Sequence, residues 1–104
     1  MFEGLTRSAE LRPFRELIGP LEAYDREHSS DLVRTLRIFF AANANASEAA
    51  DRLYLHRNSL PYRLERVQDL TGLDLKDHRA RLALQLGLLA ISTERSNRDE
   101  VEYP

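Results

Sequence analysis

Residues 47–72 carry the sequence SEAADRLYLHRNSLPYRLERVQDLTG, whose pattern of apolar residues predicts two short helices joined by a tight turn. The first helix places small and apolar side chains on one face, at positions 49, 50 and 53. The second helix carries a stripe at spacings of four, three and four, formed by Leu60, Leu64, Val67 and Thr71. A short helix that crosses a longer one in this way is typical of a helix-turn-helix, in which the second helix enters the DNA major groove by its N-terminal end.

The surface of the second helix that faces away from this stripe begins with polar and cationic side chains. Its N-terminal half consists of Arg57, Asn58, Ser59, Pro61 and Tyr62. Arginine and asparagine can bind the edges of guanine and adenine, and serine and tyrosine hydroxyls can bind phosphates. The alternative is an ordinary solvated helix face with mixed charges, and the residues alone leave both interpretations open.

Arginines give this stretch a local positive charge. Residues 52–66 contain four arginines and one glutamate, a balance of +3, although the whole chain has a net charge of −2. Arg63 lies near the apolar stripe, so its head group could pair with Glu48 or Asp51 or could bind a DNA phosphate. Arg66 is a surface arginine by default, and it becomes a phosphate clamp if the helix faces the groove.

Local signals predict the ends of the two-helix unit. Ser47 is the expected N-terminal cap of the first helix, and Gly72 is the expected C-terminal cap of the second. Tyr54 stands where many helix-turn-helix units prefer glycine, and we predict that it is partly buried and serves packing. His56 is predicted to lie at the entry of the second helix near phosphate, rather than to act as a general base.

The composition is that of one ordinary globular domain. The 104 residues are 42% hydrophobic and 31% charged, and no apolar run approaches the roughly 18 residues of a membrane span. The chain has no cysteine, which excludes disulfides and thiolate ligands, and its three histidines lack the spacing of a helical metal site. It also lacks a nucleophile elbow and a glycine-rich phosphate loop. The sequence therefore predicts no metal, no cofactor and no enzymatic activity.

The rest of the chain predicts further helices and no strands, so the expected fold class is all-α, a small helical bundle. A helix over residues 14–21 is expected to be interrupted at Gly19-Pro20. Ser29 or Ser30 is expected to cap the next helix, which ends at Asn43–Asn45. We divide the chain into a linker with short helices (1–28), a helix-turn-helix domain (29–92) and a flexible polar tail (93–104).

The last helix of the domain is predicted to begin at Asp77, as its cap, and to end near Ile91. Three leucines at spacings of four and three are expected to form its buried stripe, namely Leu82, Leu86 and Leu89.

Several short motifs in this chain resemble those of the C-terminal helix-turn-helix of PucR/CdaR-type bacterial transcriptional regulators. The resemblance covers roughly residues 14–91. Its most specific part is HRNSL followed by YRL, at residues 56–60 and 62–64. Further matching positions are Leu21, Tyr24, Asp25, Asp31, Leu32, Thr35, Leu36, Ala49, Ala50, Leu53, Leu70, Thr71 and Gly72. The unit also resembles the DNA-binding end of the factor for inversion stimulation.

The resemblance implies a cytoplasmic bacterial transcription regulator whose N-terminal sensory domain lies outside this chain. It implies that the partner is double-stranded DNA, bound by a recognition helix over about residues 57–71. Carried over position by position, the DNA-contact residues are His56, Arg57, Asn58, Ser59, Tyr62 and Arg63, to which we add Arg66.

Two residues depart from the pattern of the family. Ser59 stands where threonine is common, and it keeps the hydroxyl. Pro61 stands where arginine is frequent, which removes one cation and one amide donor and could shift or kink the start of the helix.

The sequence leads to two hypotheses about protein partners. Helix-turn-helix units usually bind DNA as dimers, which predicts a homodimer whose contact lies on residues 30–42 or 78–91. The competing hypothesis is a protein–protein interaction module that does not bind DNA, which the net charge of −2 favours.

Overall fold

The structure, a computed structural model, describes the backbone of residues 2–56 and 58–102 and the side chains of residues 10–56 and 58–94. This described part contains helices and no strand. In chain order the helices are α1 (Phe2–His28), α2 (Leu32–Ala41), α3 (Ala46–Arg52), α4 (Ser59–Thr71) and α5 (His78–Glu102). The predicted all-α class is confirmed.

Helix α1 continues through both of its prolines, so the predicted interruption at Gly19-Pro20 is wrong. The reason lies in its packing against α5. At Gly87 the two helices approach so closely that a Cβ atom would lie 2.5 Å from the carbonyl oxygen of Phe14. Ile18, on the same side of α1, is fully buried. Tertiary packing of this kind outweighs the local cost of a proline in a helix.

A carboxylate of α1 caps the start of α2. The side chain of Asp25 accepts hydrogen bonds from the backbone amides of Leu32 at 2.7 Å and Val33 at 3.1 Å. It also accepts the hydroxyl of Ser30 at 2.5 Å. The prediction that Ser29 or Ser30 caps this helix is therefore wrong, because the acceptor comes from the preceding helix.

The core brings together one face of every helix. Among the described residues, the largest fully buried side chains are Ile18, Leu21, Thr35, Leu36, Leu60, Val67 and Leu84. Leu60 and Val67 belong to the stripe predicted for α4, and Leu64, from the same stripe, packs half-buried against the core. The core therefore fixes which face of α4 remains exposed.

Two predicted caps are confirmed by the backbone. Gly72 ends α4 with φ = 73°, in the left-handed region where glycine has no steric penalty, and its amide donates to the carbonyl of Gln68. The Asp77 carboxylate accepts the amide of Arg79 at 3.0 Å at the start of α5.

The face and the end predicted for the last helix are both wrong. The buried side of α5 carries Ala80, Leu84, Leu88 and Ile91, whereas Leu82 and Leu89 are 57% and 49% exposed. The helix does not end near Ile91 but continues to Glu102. Because this segment is apolar on both sides, its periodicity fits two different faces.

The division into 1–28, 29–92 and 93–104 stays a prediction.

No helix in the described part of the chain is both long enough and apolar enough to cross a membrane.

Candidate nucleic-acid interface

Helix α3 is short and packs through small side chains. Its N-terminal cap is Asn45, whose side-chain oxygen accepts the amide of Glu48 at 3.0 Å, so the predicted cap at Ser47 is wrong by two residues. Ala49 and Ala50 are buried, which lets the backbone of α3 approach its neighbours closely. The helix thereby packs in the same core as the buried side of α4, as the two-helix pattern predicts.

The turn between α3 and α4 contains a tyrosine in an unusual conformation. Tyr54 has φ = 58°, in the left-handed region, and its side chain is 93% exposed. The prediction that Tyr54 is a partly buried packing residue is therefore wrong. The sequence does contain a signal for this conformation. Many helix-turn-helix units have glycine at this position, and glycine adopts a positive φ without strain. This tyrosine exposes its aromatic ring in the turn that precedes α4.

Within the described residues, the hydrogen bonds donated by the amides of Asn58 and Ser59, at the start of α4, go to His56 in the preceding turn. The carbonyl oxygen of His56 accepts the amide of Ser59 at 2.9 Å, and His56 Nδ1 accepts the amide of Asn58 at 3.2 Å. The side chain of Asn58 makes no capping hydrogen bond. Arg57, which the sequence predicts as a contact residue, lies outside the described residues.

Helix α4 begins at Ser59, two residues later than the predicted start at about residue 57. Pro61 is then the third residue of the helix. The first amides of a helix have no helical acceptor, so a proline at this position removes no hydrogen bond.

The predicted outward face of α4 is exposed to solvent. Asn58 and Ser59 are exposed, and Tyr62 is 62% exposed. Farther along the helix, Glu65 and Asp69 are exposed on the same side. Among the described residues, the front half of this face is polar and uncharged and the rear half is acidic.

Arg63 turns toward the core. Its guanidinium Nη1 donates to the hydroxyl of Thr35 at 3.0 Å, and Thr35 is fully buried on α2. The pairing predicted with Glu48 or Asp51 is wrong, since Glu48 pairs with Arg52 within α3. Arg63 therefore ties α4 to α2.

Arg66 lies among aromatic and acidic partners. Its guanidinium carbon is 5.6 Å from the centre of the Tyr62 ring and 5.9 Å from that of Tyr24 on α1. The guanidinium donates to the Tyr62 hydroxyl at 3.2 Å and lies 3.5 Å from the Asp69 carboxylate. The hydrogen bond to Tyr62 raises the pKa of Arg66. Arg66 thus positions the Tyr62 ring and joins α4 to α1.

A single groove of about 510 Å³ gathers most of the predicted site residues. It runs between the start of α4 and the corner where α1 meets α2. Its walls combine hydroxyl, amide, guanidinium and aliphatic groups from Tyr24, Ser30, Leu32, Leu55, Asn58, Ser59, Tyr62, Arg63 and Arg66. His56 is not among the lining residues. Within the part of the chain that the structure describes, no group of three or more His, Asp or Glu side chains is arranged to hold a metal.

The same helices are similar in sequence to those of known proteins. The sequence model of one protein family, the PucR C-terminal helix-turn-helix domain, matches residues 32–90, which run from α2 into α5. The chain is 39% identical over 69 residues to the proline-responsive transcriptional activator PutR of Bacillus subtilis, covering 66% of this chain and 17% of PutR. It is 37% identical over 71 residues to the DNA-binding transcriptional activator AdeR of the same organism, covering 68% of this chain and 17% of AdeR.

A third relative comes from a different bacterium. The carbohydrate diacid regulator of Escherichia coli is 39% identical over 74 residues, which cover 70% of this chain and 19% of that protein. The chain therefore spans less than a fifth of the length of each of these three relatives. No solved structure matches the chain. Because the domain model covers more than half of the chain, and covers the helices that build the exposed α4 face, the chain belongs to the PucR C-terminal helix-turn-helix domain family.

Proposed function

We propose that this chain is the sequence-specific DNA-binding domain of a bacterial transcription regulator, with the front half of α4 inserted in the major groove. The observation that carries the proposal is the start of α4. Asn58, Ser59 and Tyr62 are exposed together, while Leu60 and Val67 anchor the opposite side of the same helix in the core. Helix-turn-helix domains use the N-terminal residues of this helix to contact base edges.

Different residues of this face are suited to different parts of DNA. We propose that Arg57 and Asn58 contact base edges, because arginine pairs well with guanine and asparagine with adenine. The hydroxyls of Ser59 and Tyr62, and the ring of His56, are suited to phosphate oxygens. Asn58, Ser59 and Tyr62 line one groove, which supports simultaneous contacts by these three residues.

Arg63 and Arg66 have a supporting role in this proposal. Both contact other side chains, Arg63 at Thr35 and Arg66 at Tyr62 and Asp69. We propose that their positive charges attract DNA phosphates next to the front residues. We also propose that their side-chain contacts keep the exposed face of α4 in its conformation. The local charge of +3 is partly offset, since Glu48 pairs with Arg52 and Asp69 with Arg66. The phosphate contribution should therefore be modest for a DNA-binding domain.

The relatives support a proposal about the setting of the domain. PutR and AdeR are named transcriptional activators, and each is several times longer than this chain. We propose that this chain likewise acts in the bacterial cytoplasm, as a homodimer, within a regulator whose N-terminal sensory domain lies outside it.

A binding titration tests the proposal. The chain is mixed with a pool of labelled genomic fragments and random competitor DNA at two salt concentrations. The affinity of the Arg57→Ala and Asn58→Ala variants for the retained fragments is then measured by titration. We expect each substitution to weaken specific binding by about 1–3 kcal/mol, because each removes one base contact. Binding should also weaken as salt rises, since released counterions accompany each phosphate contact.

Glu65→Gln is the matched control, because Glu65 is exposed on α4 but lies beyond the front half. Its affinity for the selected fragment should equal or slightly exceed that of the parent. If the alanine variants bind as tightly as the parent, the contact assignment is wrong. If no DNA is bound at low salt even by a covalently linked dimer, the interaction-module hypothesis takes its place.

A further inference from the structure

The end of α1 carries a tyrosine that the proposed DNA contacts do not include. Tyr24 is partly buried and packs against the core. Its ring stacks on that of His28, one turn farther along α1, with ring centres 4.1 Å apart and an angle of 18° between the planes. The Nδ1 atom of His28 also lies 3.1 Å from the carbonyl oxygen of Tyr24. These contacts hold the Tyr24 ring in the wall of the groove beside α4.

The Tyr24 ring shares a guanidinium group with a proposed DNA-contact residue. The guanidinium carbon of Arg66 lies 5.9 Å from the centre of the Tyr24 ring and 5.6 Å from that of the Tyr62 ring. Both distances are within the range of about 6 Å for a cation–π contact. The Nε atom of Arg66 is buried and has no hydrogen-bond partner among the described residues. Burying such a nitrogen is unfavourable, so the other contacts of the guanidinium, these rings among them, must offset that cost.

Arg66 in turn decides how the Tyr62 hydroxyl can bind a ligand. The Nη2 atom of Arg66 donates to the hydroxyl oxygen of Tyr62 at 3.2 Å. A hydroxyl has one hydrogen and two lone pairs, so this bond uses a lone pair and leaves the hydrogen available to donate. The phosphate oxygens of DNA accept hydrogen bonds and do not donate them. The arrangement therefore favours the Tyr62 hydroxyl as a donor to phosphate, which is the role proposed for it above.

We propose that Tyr24 is a positioning residue for DNA binding, which acts through Arg66 on the Tyr62 hydroxyl. This inference rests on the proposed function, in which that hydroxyl contacts a DNA phosphate. The Tyr24 ring holds the guanidinium beside Tyr62, and the guanidinium keeps the hydroxyl hydrogen available to the phosphate. Without the ring, the long Arg66 side chain adopts more rotamers. The hydroxyl then has the required orientation for a smaller fraction of the time.

The proposal extends the DNA-binding apparatus beyond α3 and α4 to the end of α1. Tyr24 precedes residues 32–90, which the family model matches. The residue after it, Asp25, accepts the amides that begin α2. The end of α1 therefore contacts both the helix on which Arg63 is anchored, through Thr35, and the helix that faces DNA in the proposed function.

Specific DNA binding by two variants of Tyr24 tests the proposal. Tyr24→Leu keeps an apolar side chain but removes the ring, whereas Tyr24→Phe keeps the ring and its contact with the cation. Each variant of the 104-residue chain is titrated with a genomic fragment that the parent retains at low salt. We expect Tyr24→Leu to weaken binding by about three- to tenfold, which corresponds to the loss of one cation–π contact. Tyr24→Phe should bind nearly as tightly as the parent.

Leu17→Ala is the matched control for a general loosening of α1. Leu17 is also partly buried against the core, two turns before Tyr24 on the same helix. All variants are compared at a temperature at which thermal denaturation shows each of them to be folded. The affinity of Leu17→Ala for the fragment should equal that of the parent. If Leu17→Ala weakens binding as much as Tyr24→Leu does, loosened packing accounts for both and the proposal is wrong.

A double-mutant cycle with Tyr62→Phe separates positioning from a merely structural role. Tyr62→Phe removes the hydroxyl and keeps the ring. If Tyr24 acts on that hydroxyl, adding Tyr24→Leu to Tyr62→Phe should weaken binding by less than about twofold. The same loss of affinity in both backgrounds would overturn the proposal, because a structural effect of Tyr24 does not depend on the Tyr62 hydroxyl.

These titrations also distinguish this inference from the proposed function. A parent that retains no fragment at low salt overturns the proposed function, and this inference with it. A parent that binds selectively, together with a Tyr24→Leu variant that binds as tightly or more tightly, overturns this inference alone.

Discussion

The amides that begin α2 donate hydrogen bonds to a carboxylate from another helix. The residues that begin α4 instead form hydrogen bonds with one another, and their side chains are exposed to solvent. At α2, the Asp25 side chain accepts two backbone amides and one hydroxyl. At α4, the only side-chain acceptor among the described residues is the ring of His56, and the side chain of Asn58 makes no capping hydrogen bond. Both helices lie in the same bundle, and each buries its opposite face in the same core.

This difference separates a structural helix start from one that is available to a ligand. The polar groups at the start of α2 are satisfied within the chain, so substitutions there should change stability. The polar side chains at the start of α4 are exposed, so substitutions there should change binding and leave stability nearly intact. The predictions that follow test this contrast from the larger expected effect to the smaller.

Asp25→Ala should destabilise the fold more than alanine substitution of the exposed polar residues at the start of α4. It removes the acceptor of two helix amides, and a lost cap of this kind costs about 2 kcal/mol. For a domain of this size, the midpoint of thermal unfolding should fall by about 10 °C. Thermal and urea denaturation measure the change.

Asp31→Ala is the matched control for Asp25→Ala. Asp31 occupies the N-cap position of α2, but its side chain makes no capping bond and pairs only with the exposed Arg34 at 3.7 Å. Its loss should cost less than about 0.5 kcal/mol. Equal destabilisation by both substitutions would show that Asp25 is not the functional cap.

Tyr54 allows a smaller test of the strain in the turn that leads to α4. Its positive φ is unfavourable for any residue with a Cβ, so Tyr54→Gly should be more stable than Tyr54→Ala by about 1 kcal/mol. At an ordinary position glycine would be the less stable of the two. Urea denaturation of both variants measures the difference. A glycine variant that is less stable than the alanine variant would contradict a strained turn.

The parts of the fold that the sequence predicts correctly depend on local signals. The buried face of α4 follows from the spacing of Leu60, Leu64 and Val67, and its end follows from Gly72. Both signals act within a few residues of the feature that they determine. The same is true of Asp77, which caps the helix that begins directly after it.

The parts that the sequence predicts wrongly depend on contacts between distant residues. The cap of α2 comes from α1, and the continuity of α1 through Pro20 depends on its contact with α5. The buried face of α5 is ambiguous because leucines occupy both sides of the helix. No pattern within one helix reveals which side another helix will cover.

The candidate site follows the same division. The exposure of Asn58, Ser59 and Tyr62 is predictable from the helical period, because these residues lie opposite the buried stripe. The contacts of Arg63 with Thr35 and of Arg66 with Tyr24 are not, because they join α4 to α2 and α1. Residues with long side chains near the edge of a stripe can turn either way, and tertiary contacts decide between them.

Pro61→Ala should have the smallest effect on stability, and it tests how open the start of α4 is. Pro61 is the third residue of α4, where no backbone amide finds a helical acceptor, so restoring the amide adds no hydrogen bond within the helix. The free energy of unfolding should change by less than about 0.5 kcal/mol. Glu65→Pro is the control, since Glu65 is also exposed but lies in the interior of α4, where a proline costs about 3 kcal/mol. A gain in stability above about 1 kcal/mol for Pro61→Ala would mean that α4 begins earlier than Ser59. The exposed front of the helix would then include a turn that the proline distorts, and the contrast between the two helix starts would be weaker.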